Sequence, residues 1–191
     1  MKKFFIIIAF FTGLTFNLNA ETKRIVSGNV NAKITIIAYE SLTCSHCADF
    51  HKEVYPKLKK DYIDTGLAKI EFRHFPLDIA ALNASKIAQC KQDQSLKILE
   101  SLYSNQQAWV KGNTIEEVNE NLKKFLQNEG FNIDFEKCIN DKDIEDFVLN
   151  DRVEGTKNFK VNATPTIIIN NEKFEKSLNY KNLKKSLEKL I

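Results

Sequence analysis

Two cysteines separated by two residues, Cys44 and Cys47, are the side chains whose types and spacing most directly indicate chemistry. They follow an apolar, β-branched run at residues 34–39 and precede a run with helical periodicity at residues 48–58. Where a strand leads into a helix, the free backbone N–H groups and the positive end of the helix dipole stabilise a thiolate. Because the thiolate is the reactive form of cysteine, this position predicts a redox pair with Cys44 as its nucleophile.

A structural or metal-binding role is the alternative for the same pair. Zinc would require two further ligands, and His46 and His51 are near in sequence, but His46 lies inside the two-residue spacer. Haem attachment would require a histidine directly after Cys47, where Ala48 stands. We therefore predict redox chemistry and no metal site.

The first twenty residues have the pattern of a secretory signal. Lys2 and Lys3 precede an apolar run at residues 4–16, and a polar stretch then ends at Ala20, after which we predict cleavage. An uncleaved anchor is the alternative, but the apolar run is shorter than the roughly 20 residues that span a bilayer. Residues 21–191 would then form a single domain in a compartment where disulfides persist.

The charge balance excludes one class of partner. The formal net charge is +3, of which Lys2 and Lys3 supply two, so we expect no nucleic-acid binding. The lysine-rich end, residues 181–189, has leucines at helical spacing and predicts an amphipathic helix with a solvated face.

The elements around the cysteine pair form a strand–helix–strand unit. We predict a buried strand at residues 33–40, a helix at residues 44–61 that kinks near Pro56, and an alternating strand at residues 68–75 after Gly66. A unit of this length predicts parallel strands joined by a right-handed crossover.

The rest of the chain divides into a helical stretch and a second set of strands. Residues 77–160 contain no proline and predict three to five helices, one of them begun by a capping box at Thr114 and Glu117. Strands follow at residues 166–169 and 172–176, joined by a tight turn at residues 170–171, and a helix closes the chain at residues 180–190. Pro165 stands directly before the first of these strands.

This order, with the motifs at residues 39–48, 62–66, 72–78, 106–109 and 163–166, resembles the DsbA family of exported thiol–disulfide oxidoreductases, in particular its alphaproteobacterial group. The resemblance implies an α/β thioredoxin fold with an inserted helical subdomain. The thioredoxin core would cover about residues 33–76 and 161–191, and the insertion about residues 77–160.

The resemblance also implies roles for individual residues. A cis peptide bond at Thr164–Pro165 would pack against the cysteine pair, and the Thr164 backbone would bind an extended client by strand addition. From its position between the two cysteines, His46 would bring its imidazole near Cys44 and favour the thiolate, and we expect Cys47, the internal partner, to be the more buried sulfur. Cys90 and Cys138 would form a second, non-catalytic disulfide, the alternative being two free buried thiols.

Two departures from the family's pattern affect these expectations. Ser45 stands where the family most often has proline, which would make the loop less rigid and change the potential. Ala38 stands where the family usually has glutamate, while Glu40, two residues on, shares its face of the strand. We hypothesise that Glu40 relays protons for Cys47; the alternative is a partly exposed carboxylate at the strand end.

Three other side chains carry structural expectations. We predict that Trp109 belongs to the core, that His74 is a packed surface histidine and that His51 is solvated.

The sequence thus predicts a monomeric periplasmic enzyme that introduces disulfides into unfolded client proteins. Its redox group would be the Cys44–Cys47 disulfide without a further cofactor, and a quinone-linked membrane partner of the DsbB type would re-oxidise it, as the resemblance implies. An isomerase or reductase held in the dithiol form is the alternative, which Thr164 before Pro165 permits. Residues 21–32 leave no room for the dimerisation module that isomerases usually carry before the first strand. A non-enzymatic holdase or metal-binding module would keep its function after Cys44→Ser.

Overall fold

The computed structural model describes residues 22–191, so the predicted signal at residues 1–20 lies outside the described residues. A five-stranded sheet in the order β1-β3-β2-β4-β5 forms the centre of this part of the chain. The strands are β1 (Ile25–Gly28), β2 (Ile34–Glu40), β3 (Ala68–His74), β4 (Thr166–Ile169) and β5 (Glu172–Lys173). β2 and β3 pair in parallel as predicted, and the other pairs are antiparallel.

Strand β1 was not predicted from the sequence, which placed the first strand at residue 33. It pairs with the outer edge of β3, where Ile25 lies opposite Phe72, and Ile25 is buried. Four residues that include a serine and a glycine are too few for hydrophobic alternation to identify a strand.

The helix after the cysteine pair is confirmed, but it alternates between two helical geometries. α1 (Ser45–Asp49) leads into a π-helical segment (Phe50–Val54), followed by α2 (Tyr55–Leu58) and a second π-helical segment (Lys59–Ile63). Pro56 lies in the first turn of α2. Because proline has no N–H to donate, the regular ladder of hydrogen bonds is interrupted where the kink was predicted.

Residues 77–160 contain six helices, more than the three to five predicted. They are α3 (Ile79–Cys90), α4 (Ser95–Ser104), α5 (Gln106–Trp109), α6 (Ile115–Asn128), α7 (Phe135–Asn140) and α8 (Lys142–Phe159). α5 and α7 are too short for helical periodicity to show in the sequence. The predicted cap is present, since the Thr114 hydroxyl accepts a hydrogen bond from the Glu117 N–H at 3.3 Å.

The sheet separates two hydrophobic clusters. The helical segments at residues 45–63 together form the first helical run. On one face of β2, Ile36 and Ala38 pack with this run and with most of the insertion, including the predicted core residue Trp109. On the other face, Ile37 and Tyr39 pack with a smaller cluster beneath α8. This alternation along one strand decides which side chains can lie beneath the cysteine pair.

The C-terminal elements follow the prediction with shorter bounds. Asn170 and Asn171 have φ angles of 45° and 70°, the left-handed conformations that a two-residue hairpin turn requires. α9 (Tyr180–Leu187) ends before the predicted residue 190, because Leu183 and Leu187 are buried whereas Leu190 is 45% exposed. Within residues 22–191, each helix is too short or too polar to cross a bilayer.

Candidate functional site

Cys44 and Cys47 lie at the junction of the sheet and the first helical run. Cys44 is the N-cap residue of α1, with extended backbone angles, and its carbonyl accepts hydrogen bonds from the N–H groups of Cys47 (3.1 Å) and Ala48 (3.2 Å). Both cysteines are free thiols in this structure, Cys44 partly exposed and Cys47 buried. One sulfur therefore faces the solvent while the other lies behind it.

The surroundings of Cys44 favour its thiolate. A hydrogen bond from the Cys47 thiol is the largest cause that lowers the pKa of Cys44 to about 5, and the backbone N–H groups of Cys47 and His46 act in the same direction. Burial opposes the shift but is outweighed. Cys44 is therefore ionised at neutral pH, as its place at the helix start predicts.

The surroundings of Cys47 have the opposite effect. Burial raises the pKa of the Cys47 thiol well above its ordinary value, and its hydrogen bond to Cys44 and the charge of Glu40 raise it further. Of the two sulfurs, Cys44 thus has the properties of a nucleophile and of a leaving group, whereas Cys47 is the one that keeps its proton.

A cis peptide bond at Thr164–Pro165 faces the cysteine pair. The Cys44 sulfur lies 3.4 Å from the Thr164 carbonyl oxygen, to which it donates a hydrogen bond when protonated, so the loop before β4 contacts this sulfur. The Thr164 hydroxyl is buried and finds no hydrogen-bond partner among residues 22–191, which leaves it free to donate to a thiolate at Cys44. This is the arrangement that the resemblance implied.

A groove runs beside this contact, between the first helical run and the loop that carries the cis bond. Its lining includes polar and charged side chains as well as apolar ones: His46, Asp49, Phe50, Glu53, Val54, Thr164, Pro165 and Leu178. The groove is bordered by the cis-proline loop, whose Thr164 carbonyl contacts the Cys44 sulfur.

His46 does not lie where the sequence placed its side chain. Its imidazole is 81% exposed, and Nδ1 lies 3.8 Å from the Asp49 carboxylate, one helical turn away. At this position in the first turn of α1 the side chain points outward, whereas the backbone N–H points toward Cys44. His46 therefore supports the Cys44 thiolate through its main chain.

Glu40 lies beneath the pair and is 3% exposed, so the alternative of a partly exposed carboxylate is wrong. Its Oε2 lies 2.9 Å from His51 Nε2, and its Oε1 is buried without a hydrogen-bond partner among the described residues. Burial raises the pKa of Glu40, the neighbouring His51 lowers it, and the charge of Cys44 raises it again. The sequence identified this carboxylate but not its partner.

Both histidines expected at the surface are buried, and these predictions were wrong. His51 lies four residues after Cys47, on the face of the helical run that packs against the sheet. That spacing was the signal that could have predicted its burial. His74 lies at the end of β3, where its Nε2 is 3.2 Å from Gln89 Oε1, and burial lowers the pKa of His74 to about 4. It is therefore neutral at physiological pH.

Gln106, for which the sequence predicted no individual role, lies against the cysteine loop, the segment at residues 41–44 between β2 and α1. From α5 its amide donates hydrogen bonds to the backbone carbonyls of Leu42 (2.8 Å) and Cys44 (3.0 Å). One side chain of the insertion thus holds the loop that carries the nucleophile. Spacing alone could not reveal this contact, because 62 residues separate Gln106 from Cys44.

The other two cysteines form a disulfide within the insertion. Cys90 at the end of α3 is bonded to Cys138 in α7, with Cα atoms 5.6 Å apart, so the two are not free thiols. Among residues 22–191, histidine, cysteine and acidic side chains do not come together in a group of three or more that could hold a metal ion.

Comparisons with known proteins agree with this geometry. A family model described as thioredoxin matches residues 20–189. The crystal structure of alpha-DsbA1 from Wolbachia pipientis is 31% identical and superposes with a TM-score of 0.77, covering 86% of this chain and 89% of that one.

Two curated relatives extend the comparison. A Rickettsia bellii relative, grouped by name with the protein-disulfide oxidoreductases, is 32% identical over 148 residues, which are 76% of this chain and 56% of that protein. Disulfide bond formation protein D of Bacillus subtilis is 25% identical over 181 residues, 86% of this chain and 75% of that protein. The chain thus spans little more than half the length of the Rickettsia bellii relative.

Proposed function

We propose, since this chain belongs to the thioredoxin family and is DsbA-like within it, that it is an exported thiol–disulfide oxidoreductase that introduces disulfides into unfolded client proteins. The observation that carries the proposal is the contrast between the two sulfurs. Cys44 is partly exposed with a pKa of about 5, and Cys47 is buried with a raised pKa.

The exchange begins with the enzyme oxidised at Cys44–Cys47. A client thiolate attacks the Cys44 sulfur, forming a client–Cys44 disulfide and breaking the bond to Cys47, which leaves with the electron pair and takes up a proton. A second client thiolate then attacks the client sulfur of this mixed disulfide, and Cys44 leaves as a thiolate. The client gains one disulfide, and the enzyme gains two electrons.

The low pKa of Cys44 gives this exchange its direction. A stable thiolate favours the reduced enzyme over its disulfide, so the disulfide is a strong oxidant. The same property makes Cys44 a good leaving group in the second step. A reductase would instead need a dithiol that is readily oxidised, and therefore a disulfide that is harder to reduce.

The groove beside the cis peptide bond is the proposed client site. The backbone at Thr164 would pair with an extended client segment, a mode of binding that selects little by sequence. Asp49 and Glu53, one helical turn apart on the opposite wall, would favour clients with basic residues near the reacting cysteine.

For Glu40 we propose the proton relay that the sequence suggested. Its unpartnered Oε1 would supply a proton to Cys47 as that sulfur leaves, and accept one when Cys47 attacks during re-oxidation. Glu40→Gln should slow the attack of Cys47 on a glutathione–Cys44 mixed disulfide by at least about tenfold at pH 7. Glutathione release in a single turnover, followed across pH, measures this step. An unchanged pH profile would remove Glu40 from the mechanism.

The remaining parts of the proposal concern location and partners. We propose cleavage after Ala20, a periplasmic monomer, and re-oxidation by a quinone-linked membrane protein of the DsbB type, with no redox group besides the Cys44–Cys47 disulfide. The pattern of residues 1–20 supports export, and the resemblance to DsbA proteins supports the partner.

The decisive experiment measures the Cys44–Cys47 equilibrium against glutathione, together with the oxidation of a reduced, unfolded protein. An oxidase gives a potential well above that of thioredoxin and forms client disulfides stoichiometrically, and Cys44→Ser abolishes both. A potential near that of thioredoxin would identify a reductant instead. Full function in Cys44→Ser would identify a holdase or metal-binding module.

A further inference from the structure

His51 is a buried titratable side chain that takes no part in the disulfide exchange or the Glu40 proton transfer proposed for this protein. Its side chain is 4% exposed, and its Nε2 lies 2.9 Å from Glu40 Oε2. Its ring stacks on Tyr103 of α4, with centroids 4.0 Å apart and planes 15° from parallel. Tyr103, a residue of the insertion, therefore fixes the plane of the imidazole, and in this orientation Nε2 contacts the Glu40 carboxylate.

The residues around His51 come from each element packed against it. The titratable groups in contact with it are Glu40 from β2, Tyr103 from α4 and Tyr55 from its own helical run; Phe50 and Phe72 supply apolar ring contacts. Of these side chains, Glu40 is the one whose polar atom lies within hydrogen-bond distance of the imidazole. The imidazole therefore has a direct polar contact with the carboxylate that lies next to the cysteine pair.

The π-helical segment places His51 in this contact. It covers Phe50–Val54, directly after the turn that holds Cys47, and buries Phe50, His51 and Val54 together. Such segments widen a helix by one residue and shift which side chains face inward. The first turn of α1 presents the cysteines, and the π-helical segment that follows it places His51 against the sheet.

We propose that His51 is the positioning residue of the Cys47 proton relay: its Nε2–H holds Glu40 by Oε2, so that Oε1 stays free to exchange a proton with Cys47. This inference rests on the proposed function and adds a partner to its relay. When Glu40 is ionised, Nε2–H donates to Oε2. When Glu40 takes the proton from Cys47, that proton goes to Oε1, and the hydrogen bond from Nε2–H to Oε2 stays in place until the proton is released to solvent.

The direction of the effect follows from this contact. His51 lowers the pKa of Glu40 against the effect of burial, so removing its donor leaves the carboxyl protonated over a wider pH range. A protonated Glu40 cannot accept the Cys47 proton. The attack of Cys47 on a mixed disulfide should then require a higher pH.

Two matched variants test the role of the N–H donor. His51→Phe keeps a ring that can stack on Tyr103 but has no donor, whereas His51→Gln keeps a donor without a ring. In single turnovers of the glutathione–Cys44 mixed disulfide, His51→Phe should be about tenfold slower at pH 7 with its pH profile moved upward, and His51→Gln should stay within about threefold of the native rate. A native pH profile in His51→Phe would overturn the proposal, because packing alone would then explain the residue.

A second arm separates the relay from general disturbance. In the Glu40→Gln background, His51→Phe should cause no further change in the pH profile, and an equal shift in both backgrounds would also overturn the proposal. The alkylation rate of Cys44 checks that the nucleophile remains intact. Because glutathione is the probe, the result does not depend on whether the protein oxidises clients, which the equilibrium experiment decides separately.

If the phenylalanine variant does not fold, the unaltered protein still gives a result. NMR of the reduced protein should show a hydrogen-bonded proton on His51 Nε2 while Glu40 is ionised, and its signal should change as the Glu40 carboxyl carbon titrates. An Nε2 without a proton, or a signal that does not respond to Glu40, would overturn the proposal.

Discussion

At the scale of residues, the site depends on three side chains that differ sharply in burial. Cys44 is partly exposed, whereas Cys47 and Glu40 are buried beneath it. Hydrogen bonds to the exposed sulfur stabilise negative charge, while burial disfavours it on the other two groups. This difference allows neighbouring atoms to perform different steps of one exchange.

The Cys44 thiolate should be visible directly. In the reduced protein, thiolate absorbance near 240 nm should appear with a midpoint near pH 5, and Cys44→Ser should remove it. The partner Cys47 should stay protonated throughout this range, since its pKa is raised. A midpoint near the ordinary value of 9.0 would contradict the assignment of Cys44 as the activated sulfur.

The same shift predicts how the reduced form responds to pH. Because the pKa of Cys44 is lower in the folded protein than in the unfolded chain, it stabilises the reduced form fully above about pH 9. That contribution declines as the pH falls and is lost below about pH 5. Denaturant unfolding of both redox forms should show the reduced form losing its advantage over this interval. A constant difference between the forms would contradict the prediction.

At the scale of elements, the site is assembled from parts that lie far apart in the chain. β2 ends at Glu40, the first helical run begins after Cys44, and the loop before β4 brings Thr164 to the sulfur. The insertion adds Gln106, whose amide bonds two carbonyls of the cysteine loop. Elements separated by more than 60 residues therefore meet around Cys44.

Gln106→Ala should loosen the cysteine loop without removing a group that touches the reacting sulfur. We expect loss of the two hydrogen bonds to destabilise the protein by about 1–3 kcal/mol and to raise the pKa of Cys44, because the first turn of α1 is held less firmly. Thermal unfolding and the 240 nm titration measure the two effects. The neighbouring Gln107→Ala is the matched control and should change neither.

Helix α8 packs on the opposite face of the sheet through Gly155. A Cβ at this position would lie 2.7 Å from a ring carbon of Tyr39, which is fully buried. Gly155→Ala should therefore destabilise the protein by about 1–3 kcal/mol, measured by denaturant unfolding, and leave the Cys44 titration unchanged. Equal stability of the variant would show that the helix can move away from the sheet at little cost.

At the scale of the whole molecule, the described chain is a thioredoxin core joined to a helical insertion. The Cys90–Cys138 disulfide ties α3 to α7 within that insertion. The insertion in turn reaches the catalytic loop through Gln106 and the buried His51 through Tyr103. The stability of the insertion and the chemistry of the site are thus linked by a small number of contacts.

Removing the Cys90–Cys138 disulfide should lower the stability of the protein and leave the ionisation of Cys44 unchanged. The bond closes a loop of 48 residues, and Cys90→Ala with Cys138→Ala should lower the free energy of unfolding by about 4 kcal/mol at most. Because neither cysteine contacts the Cys44 sulfur, the midpoint of its titration should stay near pH 5. A shifted midpoint would show that the insertion transmits its state to the site.

The sequence by itself determined the local features of this protein. The strand–helix order around residues 34–58, the turn at Asn170 and the cap at Thr114 depend on backbone preferences and hydrophobic spacing, which act between near neighbours. The resemblance then correctly implied the fold and the cis bond at Pro165. Glu40 was found because strand alternation is a local rule.

Only the tertiary structure decided which side chains meet across long separations. The burial of His51 and its contact with Glu40, the outward turn of His46, the contact from Gln106 and the pairing of β1 all depend on where elements pack. The four-residue spacing from Cys47 indicates which helix face His51 shares, but only packing decides that this face lies against the sheet. Packing removes His51 from water and places its Nε2 against the Glu40 carboxylate, to which we assign the proton relay.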